Sequence, residues 1–238
     1  MQKLKTVAII PARGGSKGLR RKNIQLLAGK PLLAHTIEQV RNSQYIDKVI
    51  ISTDDPDIRD IALQYGADVP FMRPKHFARD TSKTDEVLQN AVFWLDQNGF
   101  QYDAVLWCHC NLPFRKSEWL DRLITNLAEN PGIDSSFIVC ASHKNYWIEK
   151  DGKMAPLSLE GRHLGYTQRQ KDSPVFQEEC GLGCVTRIEV IRQGKRVGPR
   201  MLPLKIYEHI AMFDIHDEFD LWLANVILTQ WPGRIFHD

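Results

Sequence analysis

A chain of 238 residues, 43% hydrophobic and 25% charged, has room for one large α/β domain with at most a small appendage. A formal net charge of +2 is too small for a general nucleic-acid binder, whose basic excess spreads as a patch. No apolar stretch approaches the ~20 residues that cross a bilayer, and the apolar run near the N-terminus is too short for a secretory leader, so the cytoplasm is the expected compartment.

Apolar runs and helical patterns alternate along the first half. Val7 to Ile10 reads as a fully apolar strand, and Pro31 to Val40 as a helix with Pro31 in its first turn. A strand at Lys48 to Ser52 precedes a helix from about Asp55 to Tyr65. Val69 to Phe71 reads as a brief strand and Thr84 to Trp94 as a helix. Ala104 to Trp107 is a central strand, Ser117 to Leu127 a helix, and Ser136 to Cys140 another strand. Apolar strands separated by helices predict a three-layer, Rossmann-like α/β domain with a mainly parallel sheet, which binds ligands at the carboxyl ends of its strands.

From 142 to 180 the texture turns polar and weakly periodic, as expected of an excursion from the sheet: a hairpin, a lid or an oligomer contact. Strands near Gly183 to Val190 and Met201 to Ile206 and a helix from about Asp217 to Leu228 complete the single domain. The five cysteines, Cys108, Cys110, Cys140, Cys180 and Cys184, are odd in number and lack the spacing of a zinc knuckle, which favours reduced thiols in buried strands.

The loop after the first strand carries the chemistry. Pro11-Ala12-Arg13-Gly14-Gly15-Ser16-Lys17-Gly18-Leu19-Arg20-Arg21-Lys22-Asn23 holds five cationic side chains and three glycines. Glycines bring backbone amides close to an anion, Arg offers a planar fork to phosphate oxygens and Lys a compact charge, so the loop reads as a polyphosphate cradle. It is neither a Walker loop nor a dinucleotide fingerprint. A solvated basic turn is the alternative.

Ile10 to Gly18, followed by Arg21-Lys22-Asn23-Ile24, resembles the signature of the acylneuraminate cytidylyltransferases, the CMP-sialic acid synthetases and their relatives for other nonulosonic acids. Gly29 to Leu33, Ser52-Thr53-Asp54-Asp55, Tyr65-Gly66-Ala67 and Arg73-Pro74 extend the resemblance, which is strong over about the first hundred residues and looser beyond. It implies that Ala12 to Lys17, Lys22 and Asn23 bind the nucleotide, with Arg13, Ser16 and Lys22 on the triphosphate and Lys22 nearest the reacting phosphate. It places Arg73 at the base region, where a surface salt bridge is the alternative. It also implies transfer of CMP from CTP to a 2-keto sugar acid, a divalent metal ion, magnesium by expectation, and a homodimer in which the 142–180 segment makes the contact.

Three stretches depart from the family pattern. His109-Cys110-Asn111-Leu112-Pro113-Phe114-Arg115 stands where Gln-Pro-Thr-Ser-Pro-Leu-Arg is usual. His109 therefore takes the place of an acceptor-binding Gln, able to titrate near neutrality, or else serves packing; Arg115 is retained as a substrate contact. Arg169-Gln170 match an acceptor-binding pair, whereas Cys180 to Cys184 replace Asn-Gly-Ala-Ile-Tyr. The metal motif Asp-x-Asp has become Asp214-Ile215-His216. On a strand these two side chains would share a face, but His216 is a poor magnesium ligand unless manganese serves or water fills the gap; alternatively Asp214 is a helix cap, or Asp217 supplies the second oxygen. These departures keep two other readings open: a nucleotidyltransferase for another base or sugar, and a nucleotide-binding homologue without catalysis.

Overall fold

The computed structural model describes residues 3–144, 146–156 and 174–231. Strand β1 (Thr6–Pro11) leads through a 3₁₀ turn at Lys22–Ile24 into a small hairpin, β2 (Leu26–Leu27) and β3 (Lys30–Pro31). The elements α1 (Leu32–Arg41), β4 (Lys48–Ser52), α2 (Pro56–Gln64), α3 (Thr84–Gln97), β5 (Ala104–Trp107) and α4 (Ser117–Glu129) follow. Then come β6 (Ser135–Ser142), the hairpin β7 (Trp147–Lys150) and β8 (Lys153–Pro156), and β9 (Val175–Glu178). The described chain ends with β10 (Cys184–Arg187), α5 (Ile188–Arg192), β11 (Met201–Ile206) and α6 (Glu218–Gln230).

The main sheet runs β11-β6-β10-β5-β1-β4, with β9 also paired to β6. Strands β1, β4, β5, β6 and β11 share one direction and only β10 and β9 oppose it, so the sheet is mainly parallel as expected. Alternate side chains feed two cores, as strand geometry requires. Ala8, Ile10, Ile51 and Leu106 pack beneath α1 and α4, while Val7, Ile9, Ile50 and Val105 pack against α3 and α5. Three layers result.

Four details depart from the sequence reading. Pro31 caps α1 from outside rather than sitting in its first turn. Val69–Phe71 is not a strand; single bridges at Asp68 and Met72 flank it, because Pro70 has no amide to donate to a ladder. The strand expected from Gly183 to Val190 stops at Arg187, where α5 begins. The Ala28-Gly29 turn between β2 and β3, left-handed at both residues, was not anticipated; α6 holds it through Asn225 Oδ1, which accepts from Ala28 N at 2.7 Å.

Among the described residues, the 142–180 segment contains a hairpin, one of the three forms the sequence left open. Among the described residues β7 and β8 pair only with each other, and their residues are largely exposed, Trp147, Ile148 and Met154 among them. The chain returns as β9 beside Val139–Ser142, in the lane that β10 fills beside Ser135–Phe137. Between them Ile138 bonds Glu179 N and Gly183 O, so Cys180 to Leu182 form a bulge out of the sheet. No helix among the described residues is long and apolar enough to cross a membrane.

Candidate functional site

β1, β4 and β5 end at Pro11, Ser52 and Trp107, side by side, and the loops beyond them surround a cavity of about 420 Å³. Among its charged lining residues are five cations, Arg13, Lys17, Lys22, Arg73 and Arg79, and one carboxylate, Asp80. Such an imbalance in a concave site at strand ends suits a compact polyanion.

The first loop is fixed by contacts its sequence explains. Ala12 N extends the ladder to Ser52 O at 2.9 Å. Gly14 N donates to Asp54 Oδ1 at 3.0 Å, and a Cβ at Gly14 would lie 2.5 Å from Asp55 Oδ2. A Cβ at Gly18 would lie 2.6 Å from the His216 carbonyl oxygen. These two glycines therefore permit close approach, whereas Gly15 has open space around it. Asn23, buried, donates to Arg13 O at 2.9 Å and so shapes the loop as well as lining the cavity. Arg13, Ser16 and Lys17 line it too; Ala12, Gly14 and Gly15 lie behind them.

Lys22 reaches across the cavity, and its Nζ donates to Ile215 O at 2.8 Å. Burial pulls its pKa down, and the charge of Asp214 acts the other way. Arg73 is 5% exposed, bonded to Ser52 Oγ at 3.1 Å and to the Ser52 carbonyl, which rules out a surface salt bridge. Burial lowers its pKa to about 10, leaving it a cation at neutral pH.

His109 is where the structure corrects the sequence reading. Burial, with Arg115, Arg196 and Lys22 nearby, lowers the His109 pKa to about 4, so the ring is neutral through the physiological range rather than titrating there. It sits against Trp107 with ring centres 5.5 Å apart. Arg115 is buried and does not line the cavity. Its guanidinium donates to the carbonyls of Leu182, His109 (2.9 Å) and Gly181 (3.1 Å) and to Gln39 Oε1 (3.0 Å). Through those bonds it ties the 109 segment to the Cys180–Leu182 bulge. The bulge in turn holds His109 through Gly181 O, which accepts from His109 N at 2.8 Å. Arg169 and Gln170 lie outside the described residues.

Asp214 and His216 are not on a strand; they lie between a 3₁₀ turn at His209–Met212 and α6. Their side chains nevertheless meet, with His216 Nε2 3.1 Å from Asp214 Oδ2, while Asn111 Nδ2 donates to Asp214 Oδ1. Asp217, not Asp214, caps α6, accepting from Asp220 N at 3.0 Å. Among the described residues no group of three or more His, Cys, Asp or Glu side chains could hold a metal ion. One carboxylate with an imidazole beside it fits a hydrated divalent ion shared with substrate phosphates, though not an all-protein cage.

The model for the family described as cytidylyltransferase matches residues 7–178. The chain belongs to that family. It is 37% identical over 147 residues to a pseudaminic acid cytidylyltransferase of Campylobacter jejuni, covering 62% of each chain. It is 44% identical over 115 residues to a CMP-N,N'-diacetyllegionaminic acid synthase of Legionella pneumophila, covering 48% of this chain and 50% of that one. The matches thus span between half and two thirds of these relatives' lengths. A CMP:2-keto-3-deoxy-manno-octonic acid synthetase complexed with CTP shares the fold, with a TM-score of 0.68 over 95% of this chain and 99% of that one at 14% identity.

In this cytidylyltransferase-family chain the matched region holds the whole cradle, Arg73 and His109, but ends before the bulge and before Asp214 and His216. Several lining residues escaped the sequence reading: Phe77, Arg79, Asp80, Ser82, Thr84 and Asn111. Most lie on the segment leading into α3, whose only signal was polar composition. All five cysteines are free and buried, but only Cys140 and Cys184 lie on strands, whereas Cys108, Cys110 and Cys180 sit in loops; burial pushes Cys110, on the cavity wall, up to about 12.

Proposed function

We propose that the chain transfers CMP from CTP to a nonulosonic, sialic-acid-like 2-keto sugar acid. A hydroxyl oxygen of the acceptor bonds to the α-phosphorus, the bond to the β-phosphate oxygen breaks, and pyrophosphate leaves. The observation that carries this reading is the convergence of Arg13, Lys17, Lys22 and Arg73 on one cavity at the strand ends. Membership of the cytidylyltransferase family and relatives named for pseudaminic and legionaminic acid support the nucleotide and the acceptor class.

In this reading the chain aligns the reactants and offsets growing negative charge. Arg13 and Lys17 take the outer phosphates, and Lys22 draws toward the α-phosphate as charge builds there. His109, neutral, offers one donor and one acceptor to the sugar. Asp214, with His216 beside it, would hold a magnesium or manganese ion, which when bound polarises phosphate oxygens. The exposed face of the β7–β8 hairpin would be covered in a homodimer, and the enzyme would work in the cytoplasm.

The test is pyrophosphate release measured against a panel of nucleoside triphosphates and sugar acids. CTP with a nonulosonic acid should be fastest; a faster reaction with another triphosphate refutes the assignment. A nucleotide-binding homologue without turnover is a second reading, favoured by His216 in place of a second carboxylate. It predicts CTP binding with no pyrophosphate release from any pair.

A further inference from the structure

One anion already sits among the five cations of the cavity. Asp80 Oδ1 is 2.8 Å from an Arg13 Nη atom, and Asp80 Oδ2 is 2.8 Å from Lys17 Nζ. Each carboxylate oxygen thus takes one cation, the arrangement in which two oxygens of a phosphate would meet the same pair. Asp80 is held there by a turn that depends on neither cation. Ser82 N donates to Arg79 O at 3.1 Å, Arg79 N donates to Ser82 Oγ at 3.1 Å, and Ser82 Oγ donates to His76 O at 3.0 Å. The hydrogen bond from Lys17, with Arg13 adding its charge, keeps the Asp80 carboxyl below the usual carboxylate range, so it is an anion at neutral pH.

From this geometry, and resting on the phosphate-cradle reading above, we propose that Asp80 is an intramolecular competitor for the phosphate seat and thereby sets the affinity threshold of the cradle. An incoming phosphate group must displace the carboxylate from Arg13 and Lys17. The competent fraction of the cradle is reduced by that internal contact, and every ligand that needs the seat binds more weakly by the same factor. A triphosphate with a nucleoside attached has contacts to spare beyond Arg13 and Lys17. Orthophosphate has none, so Asp80 keeps the seat clear of it. The same competition speeds loss of pyrophosphate. Asp80 contrasts with Asp57, which also pairs with an arginine of this loop, Arg21 at 2.6 Å, but is not among the cavity-lining residues.

The experiment is calorimetric titration of the full chain, without sugar acid, using CTP, inorganic pyrophosphate, orthophosphate and cytidine. The proteins are the parent, Asp80→Asn and the charge-matched control Asp57→Asn at one ionic strength. Asp80→Asn should lower the Kd of CTP, pyrophosphate and orthophosphate by a common factor, about tenfold in order of magnitude, and leave cytidine unchanged. Asp57→Asn should leave all four unchanged. Unaltered or weaker phosphate binding in Asp80→Asn overturns the proposal and makes Asp80 an organiser of the cradle. Equal tightening in Asp57→Asn overturns it as well, since net charge then explains the effect. The proposed activity fails separately: a parent that binds CTP and pyrophosphate but consumes no sugar acid refutes that activity and leaves the Asp80 comparison intact.

Discussion

On one side of the cavity, Arg13, Lys17, Lys22 and Asn23 come from a single loop between β1 and β2. On the other, His109, Asn111 and His216, with Asp214 bonded to the last two, arrive from two segments a hundred residues apart, joined by a backbone bond. Ile215 N donates to Asn111 O at 2.9 Å, His109 N to Gly181 O at 2.8 Å, and Lys22 Nζ closes the ring on Ile215 O at 2.8 Å. The first side needs only local turns and charge. The second needs the bulge, Arg115 and the 214–216 segment to be in register together. The departures from the expected family pattern, at His109, Cys180 to Cys184 and His216, lie on the second side.

The largest effect that would break this contrast is at the residue belonging to both sides. Lys22→Ala should leave the circular dichroism spectrum unchanged and cut pyrophosphate release by about 10²–10³-fold, the usual scale for losing one preorganised charge donor. Wild-type turnover from a folded Lys22→Ala protein would remove Lys22 from the chemistry.

Next comes the pair proposed to hold a metal ion, Asp214 and His216. Asp214→Asn should raise the magnesium concentration for half-maximal activity by roughly ten- to hundredfold or more, since even outer partners of a metal ligand matter on that scale. His216→Asp should be tolerated, or should improve magnesium use by adding a second carboxylate. Titrations with magnesium and manganese check both. An Asp214→Asn curve that overlays the parent's excludes Asp214 as a ligand, and loss of activity in both metals for His216→Asp would assign His216 another role.

Arg115→Met should act on stability and on the acceptor side alone. Removing a donor shared by Leu182 O, Gly181 O, His109 O and Gln39 Oε1 should cost about 2 kcal/mol or more. In urea titrations the midpoint should fall, and in kinetics the KM for sugar acid should rise while that for CTP holds. Equal change in both constants would mean the two sides are not separable.

The last effect, confined to acid pH, is the pH response of His109. Its folded pKa of about 4 lies below the ordinary 6.5, so the unfolded chain binds the proton more readily. The contribution of the neutral ring to stability is therefore complete above pH 6.5 and is lost as pH falls from 6.5 toward 4, by about 2–3 kcal/mol at most. Comparing the parent with His109→Gln by thermal unfolding across that window should show a shallower decline in the variant. A decline that is identical in both would place the pH response elsewhere.

How much was legible follows the same division. The five parallel strands and the long helices were readable because apolar runs and helical periodicity are local signals. The cradle was readable because three glycines and five cations crowd one loop. Asp80 was not, since a carboxylate in a polar stretch has no meaning until the 75–83 segment folds over the loop. The bonds of Arg115 are hidden for a related reason: sequence shows an arginine near a strand end, but not that neighbouring carbonyls accept from its guanidinium. Nor does sequence reveal that His109 is neutral, because its acidity depends on burial and on Arg115, Arg196 and Lys22 coming together around it.

The sequence by itself thus determined the α/β architecture and the position of the cationic loop after β1, three of whose five cations, Arg13, Lys17 and Lys22, line the cavity. Tertiary structure alone decided which of those cations stay available. Asp80 pairs with Arg13 and Lys17, Ser52 accepts from Arg73, and Ile215 accepts from Lys22. It also brought Asp214 and His216 within 3.1 Å without a strand to align them. The physical reason is that charge and hydrogen bonding act over a few ångströms in space, whatever the separation along the chain.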